Sequence, residues 1–368
     1  MSPRTRVGDI AAYLEQLAPR LYQESYDNSG LIAGNPDNDV SGVLVTLDCV
    51  EDVVDEAIQI GANLIVAHHP IVFKGLKRLN GSNYVERTVI KALRNDVAIY
   101  AIHTNLDNVH VGVNRKIAEK MGLKNCRILQ PRKDTLLKLV TFIPKDHTEK
   151  VMSAVHAAGA GQIGNYKNCS FRLEGTGTFL PVGDAAPFVG DIGKPESVDE
   201  TRIEVIFPAH LEHRVMSALR SAHPYEEVAY YLSTLVNENQ EVGSGMIGEL
   251  PIPMEPLEFL ASLKKSMDLN VIRHTRPVDR PVLKVALCGG AGSFLLPRAI
   301  QEKADVFVSA DFKYHEFFDA DSKIMIADIG HYESEVFTKE LLRDVLTKNF
   351  HTFAINFSKT VTNPISYL

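Results

Sequence analysis

Four histidines of this chain follow apolar runs of the kind that form buried strands. His68 and His69 follow NLIVA, His103 follows AIYAI, and His331 follows IADIG. Asp311 closes the run VFVSA in the same way. Ligands of open α/β sheets collect beyond the carboxyl ends of the strands. We therefore expect these side chains to lie near one another at one site.

Two histidines are followed four positions later by an acid: His103 by Asp107 and His331 by Glu335. This spacing places both side chains on one face of a helix. Imidazole and carboxylate groups without a nearby thiolate suit Zn²⁺, Fe²⁺ or Mn²⁺, and a shared carboxylate would allow a two-metal hydrolytic centre. For any single histidine the alternative is a hydrogen-bonded polar residue at a strand end. The repetition at several strand ends favours a metal site.

The elements that must position these residues come from two internal similarities. The segment 56–70 (EAIQIGANLIVAHHP) aligns with 298–312 (RAIQEKADVFVSADF), and each copy reads as helix, turn, buried strand and polar end. This pattern predicts two duplicated α/β halves, each with a mainly parallel sheet flanked by helices.

The second similarity lies between these halves, where VMSAV (151–155) matches VMSAL (215–219). Each copy reads as strand, amphipathic helix and strand, which predicts a ferredoxin-like α+β insert. The predicted domains are the N-terminal half 1–127, the insert 128–243 and the C-terminal half 244–368.

Composition limits the classes of function. The 368 residues are 45% hydrophobic and 23% charged, with a formal net charge of −7, which is typical of a soluble globular protein and disfavours a nucleic-acid partner. Four scattered cysteines without a CxxC pair predict neither disulfides nor a thiolate zinc site. Because no apolar stretch has the length of a membrane span or signal peptide, we expect a cytoplasmic protein without membrane contact.

Two glycine-rich segments are candidates for other roles. GSGMIG (243–248) matches a dinucleotide-binding pattern in its letters, but the prolines that follow oppose a helix there, so we expect a hinge. CGGAGS (288–293) lies between a predicted strand and a helix. It is either an anion-binding turn or a tight turn that requires small residues.

A family resemblance rests on AHHPIVFKGLKRL (67–79), HTNLD (103–107) and GHYESE (330–335), with YDNSGLIAG (26–34) as a further motif. These segments resemble the signatures of the NIF-three-like family, whose members are often labelled GTP cyclohydrolase type 2 homologues. The middle segment is similar to the PII/CutA-like insert of the longer bacterial members. The resemblance thus covers nearly the whole chain.

The resemblance implies a site with two divalent ions, with zinc favoured and iron or manganese as alternatives. It implies that His69 and Asp107 bind one ion, that His68 and His331 bind the other, and that Glu335 bridges them. It also implies a homohexamer, which we expect to be toroidal with the inserts capping its central opening.

Three functions are compatible with this resemblance. The first is a metal-dependent hydrolase of a nucleotide or related small phosphorylated metabolite, with His103 as general acid or base. For a GTP cyclohydrolase, water would attack purine C8. The second is a metal-binding regulatory or ligand-sensing oligomer without catalysis. The third is a DNA-binding or interaction scaffold, which the net charge of −7 does not favour.

Overall fold

The computed structural model of the chain describes residues 4–368. It contains two compact units, which we call the flanking unit and the inserted unit. The inserted unit is Arg132–Asn239, and the flanking unit combines the chain before it with the chain after it. This division lies slightly inside the predicted insert 128–243, because the strands at both ends of that range belong mostly to the flanking unit.

The N-terminal segment alternates strands with helices, as the apolar runs predict. Its helices are α1 (Val7–Leu17), α2 (Glu51–Gln59), α3 (Tyr84–Arg94), α4 (Thr104–Asp107) and α5 (Val113–Lys120). Its strands are β1 (Gly30–Ala33), β2 (Gly42–Thr46), β3 (Leu64–Ala67), β4 (Ala98–Ala101) and β5 (Lys124–Arg132).

The inserted unit contains two strand–helix–strand repeats. They comprise β6 (Leu136–Pro144), α6 (Thr148–Ala157) and β7 (Phe171–Phe179), then β8 (Glu196–Pro208), α7 (Glu212–Ala222) and β9 (Tyr230–Leu235). The sheet order is β7-β8-β6-β9, and all three neighbouring pairs are antiparallel. Val151 and Met152 of α6, with Val215 and Met216 of α7, belong to one hydrophobic core. Both helices are therefore anchored to this unit by their apolar faces.

The C-terminal segment completes the flanking unit. Its strands are β10 (Asn239–Met254), β11 (Arg273–His274), β12 (Val282–Ala291), β13 (Val306–Ala310), β14 (Met325–Asp328) and β15 (Ala354–Phe357). Its helices are α8 (Pro256–Ser266), α9 (Leu296–Gln301), α10 (His331–Glu335) and α11 (Thr338–Asn349).

The flanking unit has two sheets that exchange strands between the halves of the sequence. The first sheet has the order β1-β4-β3-β2-β15, in which β4, β3, β2 and β15 are parallel and β1 is antiparallel. The second has the order β11-β14-β13-β12-β10-β5. Strand β15 thus joins the N-terminal half and β5 joins the C-terminal half, so neither half forms its sheet alone.

The second sheet is mixed rather than mainly parallel. Strands β12, β13 and β14 are parallel, whereas β10 pairs antiparallel with β12 and β11 pairs antiparallel with β14. The core strands β2, β3 and β4 are buried along their whole length, as expected of strands covered on both faces. Side chains of both sheets, such as Val66 and Val308, belong to one hydrophobic core. The two sheets therefore hold their strand ends in a fixed relation.

The glycine-rich segment 243–248 is strand rather than the expected hinge. It lies inside β10, where Met246 and Gly248 pair with β12. Gly245 has a φ of +64°, a left-handed conformation that glycine allows within the strand. The segment is therefore a strand with a local irregularity and not a flexible hinge. Among residues 4–368, no helix has the length and apolar character needed to cross a bilayer.

Candidate metal centre

The ends of strands β3 and β4 bring the first group of predicted ligands together. The amides of His68 and His69 donate to the carbonyls of Thr46 and Leu47 at 3.2 and 2.9 Å. This pairing extends β3 alongside β2 and fixes the backbone of both histidines. Their rings lie 4.9 Å apart between centroids. Both imidazoles therefore reach one site, as the sequence predicts.

Glu335 of α10 lies at the focus of this site. Its Oε2 lies 3.0 Å from Nε2 of His69, 3.2 Å from Nε2 of His331 and 3.9 Å from Nε2 of His68. The side chain is buried, with 3% of its surface exposed. One carboxylate oxygen thus lies near three imidazole nitrogens, two from the end of β3 and one from α10.

Two buried polar atoms of the site have no hydrogen-bond partner among residues 4–368. They are Nε2 of His68 and Oδ1 of Asp107, which lie 3.6 Å apart. The Asp107 side chain is partly exposed as a whole, but this oxygen is buried. An unpaired buried polar atom costs about 1–3 kcal/mol, and a cation between the two would satisfy both lone pairs. The donor set therefore fits a divalent metal.

Each of the three histidines is oriented through its other ring nitrogen. Nδ1–H of His68 donates to the carbonyl of Ile102 at 2.8 Å. Nδ1 of His69 lies 2.7 Å from Asp48 Oδ1, and Nδ1 of His331 lies 2.6 Å from Asp311 Oδ2. Metal-binding histidines almost always have such a partner, because it fixes the tautomer that turns Nε2 to the ion.

Sequence reasoning missed Asp48 and gave Asp311 no defined role. Asp48 follows the end of β2, just as the histidines follow β3, so the strand-end pattern was the available signal. Its Oδ2 accepts a hydrogen bond from Thr362 Oγ1 at 2.6 Å. Residues near the C-terminus thus support the orientation of His69.

Burial and the neighbouring charges separate the pKa values of the site. Burial lowers the pKa of His68 to about 3, so its imidazole is neutral. Burial also disfavours charge on His69, but its hydrogen bonds to Asp48 and Glu335 outweigh burial and raise its pKa to about 10. For His331, hydrogen bonds to Glu335 and Asp311 outweigh burial in the same way and raise its pKa to about 9.

The two carboxylates shift in opposite directions. Burial and the charge of Glu335 raise the pKa of Asp107 well above its usual value. For Glu335, burial would raise the pKa, but the hydrogen bonds from His331 and His69 lower it well below the usual value. Without a metal, two imidazolium ions therefore surround one carboxylate.

His103 lies beside the cluster and has its own carboxylate partner. Its ring centroid is 5.4 Å from that of His68 and 5.3 Å from that of His69. Its Nδ1 lies 2.8 Å from Asp27 Oδ1, and the pKa of Asp27 is lowered because the bonds from His103 and Thr104 outweigh its burial. Asp27, which belongs to the YDNSGLIAG motif, is a second residue whose role sequence reasoning missed.

The segment 288–293 supports the carboxylate cluster, and two of the amides that an anion-binding turn would use are already bonded within the protein. The amide of Gly289 donates to Asn114 Oδ1 at 2.9 Å, and the amide of Gly290 donates to Ser334 Oγ at 2.9 Å. A Cβ at Gly290, whose φ is +60°, would lie 2.5 Å from Glu335 Oε1. The small residues therefore serve a close approach between β12 and α10.

The fold and site together define a class: an α/β protein with a buried histidine–carboxylate cluster at the ends of two strand-exchanged sheets. The family model of Duf34/NIF3 (NGG1p interacting factor 3) matches residues 5–364. The chain belongs to this family.

Its relatives match along the whole chain. A Bacillus subtilis protein named "GTP cyclohydrolase 1 type 2 homolog" is 38% identical over 364 residues, covering 98% of each chain. The solved structure of a Bacillus cereus protein related to NIF3 is 38% identical with a TM-score of 0.87, and both chains are covered completely. A Staphylococcus aureus structure, 30% identical, also covers both chains completely with a TM-score of 0.79.

The structure brings the five predicted ligands together and leaves their role as ligands a prediction. A compact set that could hold one metal ion comprises His68, His69 and Glu335. Asp107 and His331 lie at its edges, through the contacts with His68 and Glu335.

Proposed function

We propose that this cluster binds two divalent metal ions and that the protein is a metal-dependent hydrolase of a small phosphorylated substrate. The observation that carries the metal proposal is the unpartnered pair, His68 Nε2 and Asp107 Oδ1, beside the buried oxygen of Glu335. Imidazole and carboxylate donors favour zinc, with iron or manganese as alternatives. When bound, such ions act as Lewis acids and activate water.

The distances favour one way of sharing the ligands between two ions. His68 Nε2 lies closer to Asp107 than to Glu335, whereas the Nε2 atoms of His69 and His331 lie only 3.0 and 3.2 Å from Glu335 Oε2. We therefore propose that His68 and Asp107 share one ion, that His69 and His331 share the other, and that Glu335 bridges them. This pairing differs from the one that the family resemblance implies.

A double variant distinguishes the two pairings. If His68 and Asp107 share an ion, the variant with His68→Ala and Asp107→Ala loses that ion and retains the other. If His68 and Asp107 bind different ions, the double variant loses one ligand from each, so the binding of both ions is weakened. One ion per chain by mass spectrometry supports the pairing from the distances, and none supports the pairing from the resemblance.

His103 is the group that we propose for proton transfer. It is near the cluster without being one of its five members, and Asp27 holds its Nδ1 so that Nε2 is the nitrogen left to exchange a proton. Phe73 lies 6.0 Å from the His103 ring, and Tyr26 lies 6.1 Å from Phe73. Both aromatic side chains are exposed, so they offer a surface on which a planar base can stack. A nucleotide is therefore the proposed substrate class.

The test is a screen of nucleotides and other phosphorylated metabolites for metal-dependent hydrolysis, followed by His103→Ala. We expect this variant to keep its metals and to lose about 10²–10⁴-fold in rate. His351→Ala, at an exposed histidine, is the control and should change neither. Hydrolysis that persists in His103→Ala would contradict the role of His103, and metal-loaded protein without any hydrolysis would contradict the hydrolase.

Two further proposals concern architecture. We infer from the strand order β7-β8-β6-β9 and the β-α-β-β-α-β sequence of elements that the inserted unit is ferredoxin-like. We also propose that the chain forms a homohexamer, on the family resemblance. Light scattering should give a mass near six times 40.7 kDa, and a stable monomer at micromolar concentration would contradict the hexamer.

A further inference from the structure

The inserted unit contains a cavity of about 760 Å³. It lies between strands β7 and β8 and the segment 180–189 that follows β7. This volume is within the range of small-molecule sites, which is about 300–1,000 Å³. The cavity is formed entirely by the inserted unit and has no part in the metal cluster.

Hydrogen bonds hold the segment that covers the cavity. The amide of Gly193 donates to the carbonyl of Pro181 at 2.8 Å, which closes the segment on itself. The amide of Ala186 donates to Glu226 Oε1 at 2.7 Å. Because the segment is held near its start and at its middle, part of the cavity wall is ordered before any ligand binds, which reduces the ordering cost of binding.

Aromatic rings form much of the cavity wall. The ring of Tyr225 lies 6.2 Å from those of Phe179 and Phe188, and Phe142 lies 5.7 Å from Tyr231. Phe188 is 53% exposed, so its ring has apolar surface available to contact a ligand. A wall of this kind favours an apolar or aromatic body and offers ring faces to a cation.

The charges of the cavity are mainly negative. Its basic lining residue, Arg202, donates to Glu204 at 2.7 Å, and the lining Glu174 pairs with Lys145. Among residues 4–368, no ion pair engages the remaining lining carboxylates, which are Glu200, Glu226 and Glu227. An anionic ligand would be repelled here, whereas a cation would gain attraction.

Glu200 is held in place within the aromatic wall. The hydroxyl of Tyr225 donates to Glu200 Oε1 at 2.9 Å. A Cβ at Gly177 would lie 2.2 Å from Glu200 Oε2, so the glycine leaves the space that this carboxylate occupies. The carboxylate is thus fixed next to a ring of the wall, in the arrangement that suits an ammonium group.

We propose that this cavity binds an organic cation, an ammonium or quaternary amine carried on an apolar or aromatic body. The rings accommodate the body and contact the charge, and Glu200 with its neighbouring carboxylates neutralises it. The proposal is independent of the metal cluster and of its hydrolytic role.

The test uses calorimetric titration of the full-length protein with four probes of similar size: benzyltrimethylammonium, phenethylamine, benzyl alcohol and phenylacetate. The two cations should bind, and the alcohol and the carboxylate should bind at least about tenfold more weakly or not at all. The proposal would be overturned if benzyl alcohol bound as tightly as the cations or if phenylacetate bound more tightly. It would also be overturned if neither cation bound when added in about 10-fold excess to about 1 mM protein.

Variants locate the binding. Glu200→Gln should weaken the binding of benzyltrimethylammonium about tenfold, and Phe188→Ala should weaken it as well, because it removes a ring of the wall. The matched control is Glu212→Gln on α7, an exposed carboxylate outside the cavity, which should leave cation binding unchanged. A far-ultraviolet spectrum checks that each variant is folded. If both folded variants, Glu200→Gln and Phe188→Ala, bind the cation as strongly as the native protein does, the ligand lies elsewhere and the proposal is overturned.

Discussion

Proton transfer accompanies metal binding at the residue scale, because two histidines of the site carry charge before an ion enters. The pKa values of His69 and His331 are raised to about 10 and about 9, so both rings are protonated at pH 7. A metal ligand must be a neutral imidazole. Each of these rings must therefore lose its Nε2 proton when an ion binds.

We predict that loading the metal-free protein at pH 7 releases at least about two protons per chain, one from each of these histidines, and that any proton held by Asp107 adds to this number. The release should fall as the pH rises through 9 and 10, because His331 and then His69 lose their protons before the ion binds, and it should approach zero above that range. Metal affinity should consequently increase with pH up to that range. The measurement is calorimetry in buffers of different ionisation enthalpy, with His351→Ala as a control that leaves the count unchanged.

Metal uptake without proton release at pH 7 would contradict this account. It would mean that neither His69 nor His331 releases a proton to the solvent when the ion binds, and the ligand set would then be wrong.

The residue types at the site could be predicted because their chemistry is scarce and their position repeats. Imidazoles at several strand ends are unusual, and only 13 histidines occur in the chain. The orienting carboxylates could not be singled out among 46 acidic residues. Asp27 and Asp48 act through contacts with His103 and His69, which the fold brings near from distant positions in the sequence.

At the scale of elements, α10 depends on its close approach to β12. Gly290 has a φ of +60°, and a Cβ there would lie 2.5 Å from Glu335 Oε1 and 3.2 Å from the His331 ring. Ser334 lies on the same short helix as Glu335, and its Oγ accepts a hydrogen bond from the Gly290 amide of β12. Strand and helix therefore fix the bridging carboxylate together.

We predict that Gly290→Ala lowers the free energy of unfolding by about 2–4 kcal/mol, through left-handed backbone strain and overlap with Glu335. It should also lower metal occupancy, because the carboxylate must move. The measurements are urea denaturation and metal counting.

Gly61→Ala is the matched control for this strain. Gly61 has a φ of +72°, but a Cβ at that position would meet no atom within 4 Å. The substitution should cost only the backbone strain of about 1–2 kcal/mol and keep full metal occupancy. Equal metal occupancy in Gly290→Ala and Gly61→Ala would contradict the proposed close approach.

The order of elements could be predicted from periodicity, whereas their pairing could not. The apolar runs that form β2, β3, β4 and β13 are evident because these strands are buried along their length. The exchange of β5 and β15 between sheets depends on contacts between segments far apart in the chain. The hinge predicted at 243–248 is wrong, because the segment pairs with β12 and no local pattern of its glycines reveals that pairing.

At the scale of the whole molecule, the flanking unit holds all five proposed ligands. Strands β5 and β10 are neighbours in its second sheet, and they lead into and out of the inserted unit. A Cβ at Gly243 of β10 would touch the carbonyl of Gln130 of β5, so the two ends of the cut lie close together. A short linker can therefore replace the inserted unit as a hairpin.

We predict that replacing residues 132–239 with a short Gly/Ser linker gives a folded protein that still binds two ions per chain. Circular dichroism and metal counting on the purified deletion variant check this outcome. The control is the same deletion with Glu335→Gln. A folded deletion variant without metal would show that the inserted unit contributes a ligand.

Glu335 is the residue that we propose to bridge two metal ions, and native mass spectrometry of metal-loaded Glu335→Gln tests this role. This substitution keeps the shape of the side chain and removes the charge that holds two cations together. We predict two ions per chain in the native protein and one or none in Glu335→Gln. Glu333 lies on the same helix, and its carboxylate accepts a hydrogen bond from Asn363 instead of facing the site. The control variant Glu333→Gln should therefore keep two ions. Two ions retained in Glu335→Gln, or no metal in the native protein, would contradict the claim.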